Sequence, residues 1–406
     1  MTVSTEDSLK GTLRPFEGIR IVDATHVLAG PFAAYQMALL GADVIKVEDP
    51  NDPDQSRDGG ADLALNEQGM GMQFMGQACN KRSLALDLKT EDGRAVFKRL
   101  VATADILVEN YRPGAFEALG LGYEAMREIK PRLIYCSMSA FGQHGPRRTQ
   151  TAYDSVVQAA CGIMSMNGTP QTGPFRIAAP TLDYATGTMA AFALASALFQ
   201  RQRTGLGQHI DLAMLDVGLM LEGVVISDYL RTGKAPRQMG NQTAHATNAT
   251  YGTATGLMII GATNLRQQKR LWNALGRPEM AKTTNKERLD DHARETALLS
   301  EILLTRPAEE WEVYLQSHRV PASRIRTVPE ALADPQLKAR GVIQEFEGVL
   351  GMSGKFGVTA AAFSFAHGGP RIDSAPPRVG QHTDALLREL GYSSAETARL
   401  RSARAV

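Results

Sequence analysis

The stretch Gly18–Glu48, GIRIVDATHVLAGPFAAYQMALLGADVIKVE, decides the fold. Ile19–Ala24 (IRIVDA) is rich in β-branched residues and predicts a strand. His26–Pro31 (HVLAGP) reads as a Gly/Pro loop, and Phe32–Leu40 suits a helix that Gly41 ends. Val44–Val47 predicts the next strand. The pattern recurs. Ser83–Leu88 (SLALDL) alternates as a strand does, and Thr90 reads as an N-cap. Glu91 and Asp92 then favour the positive end of a helix running to about Ala102. A strand at Ile106–Val108, a helix at Tyr123–Ile129 and a strand at Leu133–Ser137 follow. Strands separated by helices imply right-handed crossovers and a mostly parallel sheet. The expectation is a Rossmann-like α/β domain.

Further along, Ala185–Arg203 predicts a long Ala-rich helix closed by Gly205–Gln208, and Ile210–Met214 a short strand or helix start. Gly233–Thr250 is polar and reads as a linker or loop. Tyr251–Asn264 resembles a hairpin, and Arg266–Leu275 and Ala308–Gln316 read as helices. This middle region reads as a smaller α+β domain. Gly368–Gly380 is expected to be extended, and Asp384–Leu390 to form a last amphipathic helix.

The 406 residues carry 44 Lys plus Arg against 43 Asp plus Glu, an even balance that does not suggest a nucleic-acid binder or a polybasic membrane protein. A hydrophobic share of 43% supplies apolar surface to offset chain entropy, which excludes disorder as the main state. Cys79, Cys136 and Cys161 are far apart and odd in number, which argues against a disulfide scaffold and for a reducing compartment. Met1–Phe16 is polar and lacks the apolar stretch of a signal peptide. The most apolar run, Met189–Phe199, is shorter than the roughly 20 residues a bilayer span takes. The expectation is a cytoplasmic protein.

Familiar motifs are missing. After the first strand stands DATHVLAGP rather than GxGxxG, so the phosphate-cradling glycines of a dinucleotide site are absent. No Walker A, GxSxG or HExxH occurs, and the histidines show no metal-ligand spacing. Asp183, in APTLDYATG before the long helix, is the most informative carboxylate. It would face unpaired N–H groups and the positive end of the helix dipole, which keep a carboxylate ionised, as a nucleophile requires. An ordinary N-cap aspartate reads the same way. Arg112 in NYRPG follows a strand and could meet a phosphate or simply be solvated. Lys81, Arg82 and Lys89 admit the same two readings. Asp154 reads as a cap of the helix it precedes, and Gly168–Gly173 as a surface loop.

Together these segments resemble the class III CoA-transferase family, also called the CaiB/BaiF or formyl-CoA transferase family. Besides the opening stretch, the resemblance rests on NKRSLALDLKTEDGR, ADILVENYRPGAFEALGLGYE and PRLIYCSMSAFGQHGP. YDSVVQAACGIMSMNG, TLDYATGTMAAFALASAL and GLGQHIDLAML follow. RVPASRIRTVPEALADPQLKARG and PPRVGQHTDALLRELG complete it. Each is weak alone; their order over nearly the whole chain carries the assignment.

The resemblance implies that Asp183 is the acyl-accepting nucleophile. CoA would pass between an acyl-CoA donor and a carboxylic-acid acceptor through aspartyl anhydride and aspartyl-CoA thioester intermediates, with no metal required. It implies CoA contacts from Val27, Leu28 and Ala29, from Leu86, Asp87, Leu88 and Lys89, from Asn110, Tyr111 and Arg112, and from Thr151, Ala152, Tyr153 and Asp154. It further implies an interlocked-ring homodimer, with a large domain of residues 1–215 and 325–406, a linker over 216–239 and a small domain over 240–324. Ala118 and Asp49 stand where relatives can hold arginines. GNQTAHATNATYG (240–252) replaces the glycine-rich loop of formyl-CoA transferases, a departure from a formyl-CoA/oxalate assignment. The α-methylacyl-CoA racemases of the family hold a histidine where this chain has Tyr153, a poor base with a reference pKa of about 10. Racemase-type chemistry therefore ranks below transfer, and the intact Asp183 argues against non-catalytic CoA binding. Short dicarboxylates are the expected acids, with Arg57, Arg176 or His26 meeting a distal carboxylate.

Overall fold

The computed structural model describes residues 13–347, 349 and 354–406, so most of the Met1–Phe16 reading lies outside the described residues. The chain divides into two compact units. The first comprises residues 1–163, 176–234 and 340–406; the second comprises 164–175 and 235–339.

The first unit is built on a six-stranded, all-parallel sheet. Its strands are β1 (Arg20–Ala24), β2 (Asp43–Glu48), β3 (Lys81–Ala85), β4 (Ile106–Glu109), β5 (Ile134–Ser139) and β6 (Gln208–Ala213). They lie in the order β3-β2-β1-β4-β5-β6. The order reverses between β1 and β4, and the carboxyl ends of those strands open a crevice there. Alternate residues of each strand feed opposite faces. Ile21, Val44, Ile106 and Ile134 pack with Ala33, Ala34, Met37 and Leu194 on one side. Val22, Ile45, Leu107 and Tyr135 pack with Phe97, Leu100, Leu386 and Leu387 on the other.

The unit's helices include α1 (Ala29–Leu39), α2 (Glu91–Ala102), α3 (Asp154–Cys161), α4 (Thr181–Thr204), α5 (Met214–Leu221) and α6 (Gly223–Thr232). The expected strand–helix alternation is present, with shifted edges. Helix α1 begins three residues before the sequence suggests, because Pro31 is tolerated in a first turn whose N–H groups have no partner. Strand β3 occupies Lys81–Ala85 rather than Ser83–Leu88, since Asp87 N–H leaves the sheet for the Ala405 carbonyl. Thr90 caps α2, accepting from Gly93 N–H at 3.0 Å. Residues 214–232, overlapping the expected linker, are helical. Among the described residues α4 is the one helix long and apolar enough to cross a membrane by length and composition. The chain's last segment returns to β3, where Thr383 Oγ1 accepts from Ala85 N–H at 3.0 Å.

The second unit has an antiparallel sheet of β7 (Asn248–Gly252), β8 (Leu257–Gly261) and β9 (Ala322–Arg324), in the order β9-β8-β7. Trp272, Leu299, Leu303, Trp311 and Leu315 fill its core. Residues 168–173, expected to be a surface loop, belong to a small hairpin of this unit in which Gly168 pairs with Pro174 and Thr169 with Gly173.

Candidate active site

A cleft of about 820 Å³ lies in the first unit, at the carboxyl edge of the sheet. The turns after β1, β4 and β5 supply its floor, and α3, α4 and α5 supply walls. Of the residues singled out from sequence, Val27, Leu28, Ala29, Asn110, Tyr111 and Arg112 line it. So do Thr151, Ala152, Tyr153 and Asp183. Leu86, Asp87, Leu88 and Lys89 stand away from this lining. Leu86 and Leu88 are buried in the core, and Lys89 lies at the surface, paired with Asp49 at 2.9 Å. That exposed pair joins the ends of β2 and β3, so Lys89 is not a free cation.

Asp183 does not cap its helix. The N-cap of α4 is Pro180, and Asp183 is the third helical residue. The expected cap role falls to Asp154, which starts α3 but reaches across to α4. Its Oδ2 accepts the N–H groups of Leu182 at 2.8 Å and Asp183 at 3.1 Å. Gln158 donates to its Oδ1 and fixes the carboxylate. Asp154 is thus buried structure behind the cleft rather than part of its lining.

This changes the electrostatics of Asp183. The sequence reading has the helix end keep it ionised. Burial instead pushes its carboxyl up to about 7, the neighbouring Asp154 carboxylate adds to the rise, and a hydrogen bond from Ala29 N–H opposes it. Desolvation outweighs the helix end because Asp154 already occupies the first-turn N–H groups. A carboxyl titrating near neutrality is poised between a neutral acid and a nucleophilic anion.

Ala29 reaches Asp183 because α1 and α4 pack closely. A Cβ on Gly187 would stand 2.6 Å from the Ala29 carbonyl oxygen. Phe32 meets Tyr184 edge-on at 4.9 Å between ring centres. The His26 ring lies edge-on to Tyr111 at 4.8 Å, and burial, then Lys46, hold it below the ordinary imidazole range. Of the three groups expected to meet a distal carboxylate, His26 alone lines the cleft. Arg57 is unavailable: it is 1% exposed and forms a two-pronged pair with Glu48, at 2.7 Å on each prong. Arg176 is an exposed side chain in the loop before α4 and donates to the Ala178 carbonyl at 2.9 Å.

Sequence reasoning missed Asp23, Lys46, Glu48 and Asp54, and with them the buried ion pairs that hold Arg57 and Lys81 behind the cleft. Asp23, Lys46, Glu48, Asp54, Arg57 and Lys81 are all buried. Lys81 pairs with Asp23 at 2.9 Å and Lys46 with Asp54 at 3.0 Å. The lysines that looked like phosphate ligands or solvated side chains include one, Lys81, that holds the core of the turn. Glu109, also missed, ends β4 and accepts Tyr111 N–H at 2.9 Å; burial pushes it up to about 7. Nothing in their spacing marked them, because ion pairs between strands are made by topology. Among the described residues no three His, Cys, Asp or Glu side chains gather as metal ligands.

The profile of the family described as CoA-transferase family III matches residues 16–383. Succinate–glutarate CoA-transferase of Agrobacterium fabrum is 35% identical over 386 residues, covering 93% of this chain and 96% of that protein. Acetyl-CoA:oxalate CoA-transferase of Acetobacter aceti is 36% identical over 402 residues, covering 98% and 100%. The crystal structure of a CaiB/BaiF family protein from Brucella suis superposes with a TM-score of 0.81 at 35% identity, covering 93% of this chain and all of that one. A match running almost end to end, on a parallel sheet whose switch-point cleft holds a poised carboxyl, makes the chain a member of CoA-transferase family III.

Proposed function

We propose that this enzyme moves CoA from an acyl-CoA thioester to a short dicarboxylic acid, with Asp183 as the acyl acceptor. The observation that carries the reading is the half-buried Asp183 carboxyl opening into the large switch-point cleft beside the Ala29 N–H. An Asp183 oxygen attacks the thioester carbonyl, the C–S bond breaks, and an aspartyl anhydride and CoA thiolate result. The thiolate attacks the aspartyl carbonyl, leaving an aspartyl-CoA thioester and the free donor acid. The acceptor carboxylate attacks that thioester, and the released thiolate takes the acceptor's acyl group from the second anhydride. Asp183 emerges as a carboxylate. Each step exchanges one acyl bond for another without hydrolysis, so the thioester's energy is conserved over the cycle and one hard transfer is divided into easier ones.

CoA is read as lying over the turns at 27–29 and 110–112, with the segment 151–153 beside it. Arg112 is the cleft's phosphate partner, and Lys89 a second once Asp49 releases it. The large CoA-binding domain is read as discontinuous, made from both chain ends. Dicarboxylates are favoured because both curated relatives described above carry one in their names. The enzyme is read as a homodimer. Phe192, Phe199, Val224 and Leu230 on α4 and α6 are between 60% and 79% exposed, apolar side chains that a second copy would cover. Three free, buried cysteines agree with a reducing cytoplasm.

Hydroxylamine trapping during turnover should label Asp183 in the presence of acyl-CoA. Retention of near-full transfer by Asp183→Ala would end this reading. Light scattering that gives a monomer at micromolar concentration would end the dimer.

A further inference from the structure

Behind the cleft, the turn that carries Ala29 to Asp183 holds an unfavourable conformation. Val27 has φ 70°, in the left-handed region, where a β-branched side chain crowds its own backbone. Buried side chains take both polar groups of its backbone. Its N–H donates to Asp54 Oδ1 at 3.0 Å, and its carbonyl accepts from Gln77 Nε2 at 2.6 Å. Lys46 fixes Asp54 at 3.0 Å and donates to the Thr25 carbonyl at 2.7 Å. Asn110 grips His26 from both sides, at 2.8 Å on its N–H and 2.8 Å on its carbonyl.

Asp54 is 1% exposed and Gln77 3%, and neither lines the cleft. Apolar residues of similar volume often stabilise a core as well as buried polar or charged groups do. What apolar residues cannot do is hold the two polar atoms of a twisted peptide. Two residues on, Ala29 opens α1, so its N–H has no partner inside the helix, and Ala29 and Asp183 line the same cleft where α1 and α4 come close.

We propose that Gln77, together with Asp54, is a positioning residue: the two side chains hold Val27 in its left-handed conformation, and that twist aims the Ala29 N–H at the Asp183 carboxyl. The proposal rests on reading Asp183 as the acyl acceptor. Once Asp183 is acylated, the same N–H faces its carbonyl oxygen, where charge develops in the next attack.

Gln77→Leu removes the donor at similar volume. Single-turnover acylation of Asp183, read by hydroxylamine trapping and mass spectrometry, should slow about tenfold, with KM for acyl-CoA changing less than about twofold. Val27→Gly permits the positive φ without steric cost. In the double variant, acylation should run within about twofold of V27G alone, because glycine no longer needs the clamp. The midpoint of the pH–rate profile should also rise in Gln77→Leu as the carboxylate loses its donor. A crystal structure of Gln77→Leu should have Val27 at negative φ. An unchanged acylation rate, or an equal penalty in the V27G background, overturns the proposal. Absence of any label on Asp183 in the unaltered enzyme overturns the acyl-acceptor reading instead. The Gln77→Leu crystal structure then judges the clamp alone, and Val27 still at positive φ overturns it.

Discussion

Replacing Asp154 by Asn removes a negative charge beside Asp183 yet keeps an oxygen for the two first-turn N–H groups of α4. Neighbouring carboxyls shift one another within roughly 4–6 Å, and at the far end of that range an effective dielectric constant of about 20 gives a repulsion of about 3 kcal/mol. That corresponds to roughly two pH units, and water in the cleft screens part of it, leaving one to two. Burial, the larger cause of the rise to about 7, is untouched by the substitution. The carboxyl of Asp183 should therefore titrate at about 5 to 6 in the variant. The assay is the pH dependence of kcat/KM for CoA release from an acyl-CoA donor, which reports the free enzyme. In the unaltered enzyme the rate should climb through about pH 7 as Asp183 ionises. In Asp154→Asn the climb should come one to two pH units lower. Gln158 would then meet an amide instead of a carboxylate oxygen, and urea unfolding should register a loss of about 1 kcal/mol. A climb that stays at pH 7, or moves upward, refutes the reasoning, because Asp154 would not be sensed by the titrating group.

Other outcomes follow from the same geometry. Asp49→Asn frees Lys89 from its exposed pair, which is worth at most about 1 kcal/mol, so KM for acyl-CoA should fall up to about fivefold at low salt if Lys89 meets a phosphate. An unchanged KM across salt concentrations removes Lys89 from the CoA site. Gly187→Ala places a methyl group against the Ala29 carbonyl and the Phe32 ring; urea unfolding should lose about 1–3 kcal/mol and acylation should slow. Full stability with full activity would mean that α1 and α4 need no close approach. Glu109, buried and raised to about 7, favours folding while protonated, so its contribution is full below pH 4.5 and lost as pH rises through 7. Glu109→Gln should flatten the stability difference between pH 5 and pH 8 by about 2–3 kcal/mol, and an unchanged difference refutes the assignment.

Much of the fold was legible in short-range pattern. β-branched runs, the Thr90 cap and Gly41 placed the alternating strands and helices of the first unit, because strand and helix periods are local properties. Element edges were less legible, and the reasons are tertiary. Strand β3 starts early because Lys81 is drawn into a buried pair with Asp23, and it stops early because Asp87 turns to Ala405, more than three hundred residues away. Residues 216–239 read as a linker and 210–214 as a short strand or helix start, yet 214–221 and 223–232 wind into α5 and α6.

The site divides in the same way. By itself the sequence determined the family and a carboxylate at the start of a long helix, since order and spacing along the chain need no third dimension. Only the tertiary structure decided what that carboxylate is like. It half-buried Asp183, set Asp154 rather than Asp183 on the helix end, and brought Ala29 into the same cleft. The physical reason is that charge, desolvation and hydrogen-bond direction depend on distances between groups from separate segments, here 29, 77, 154 and 183. A pattern read along one segment cannot encode those distances.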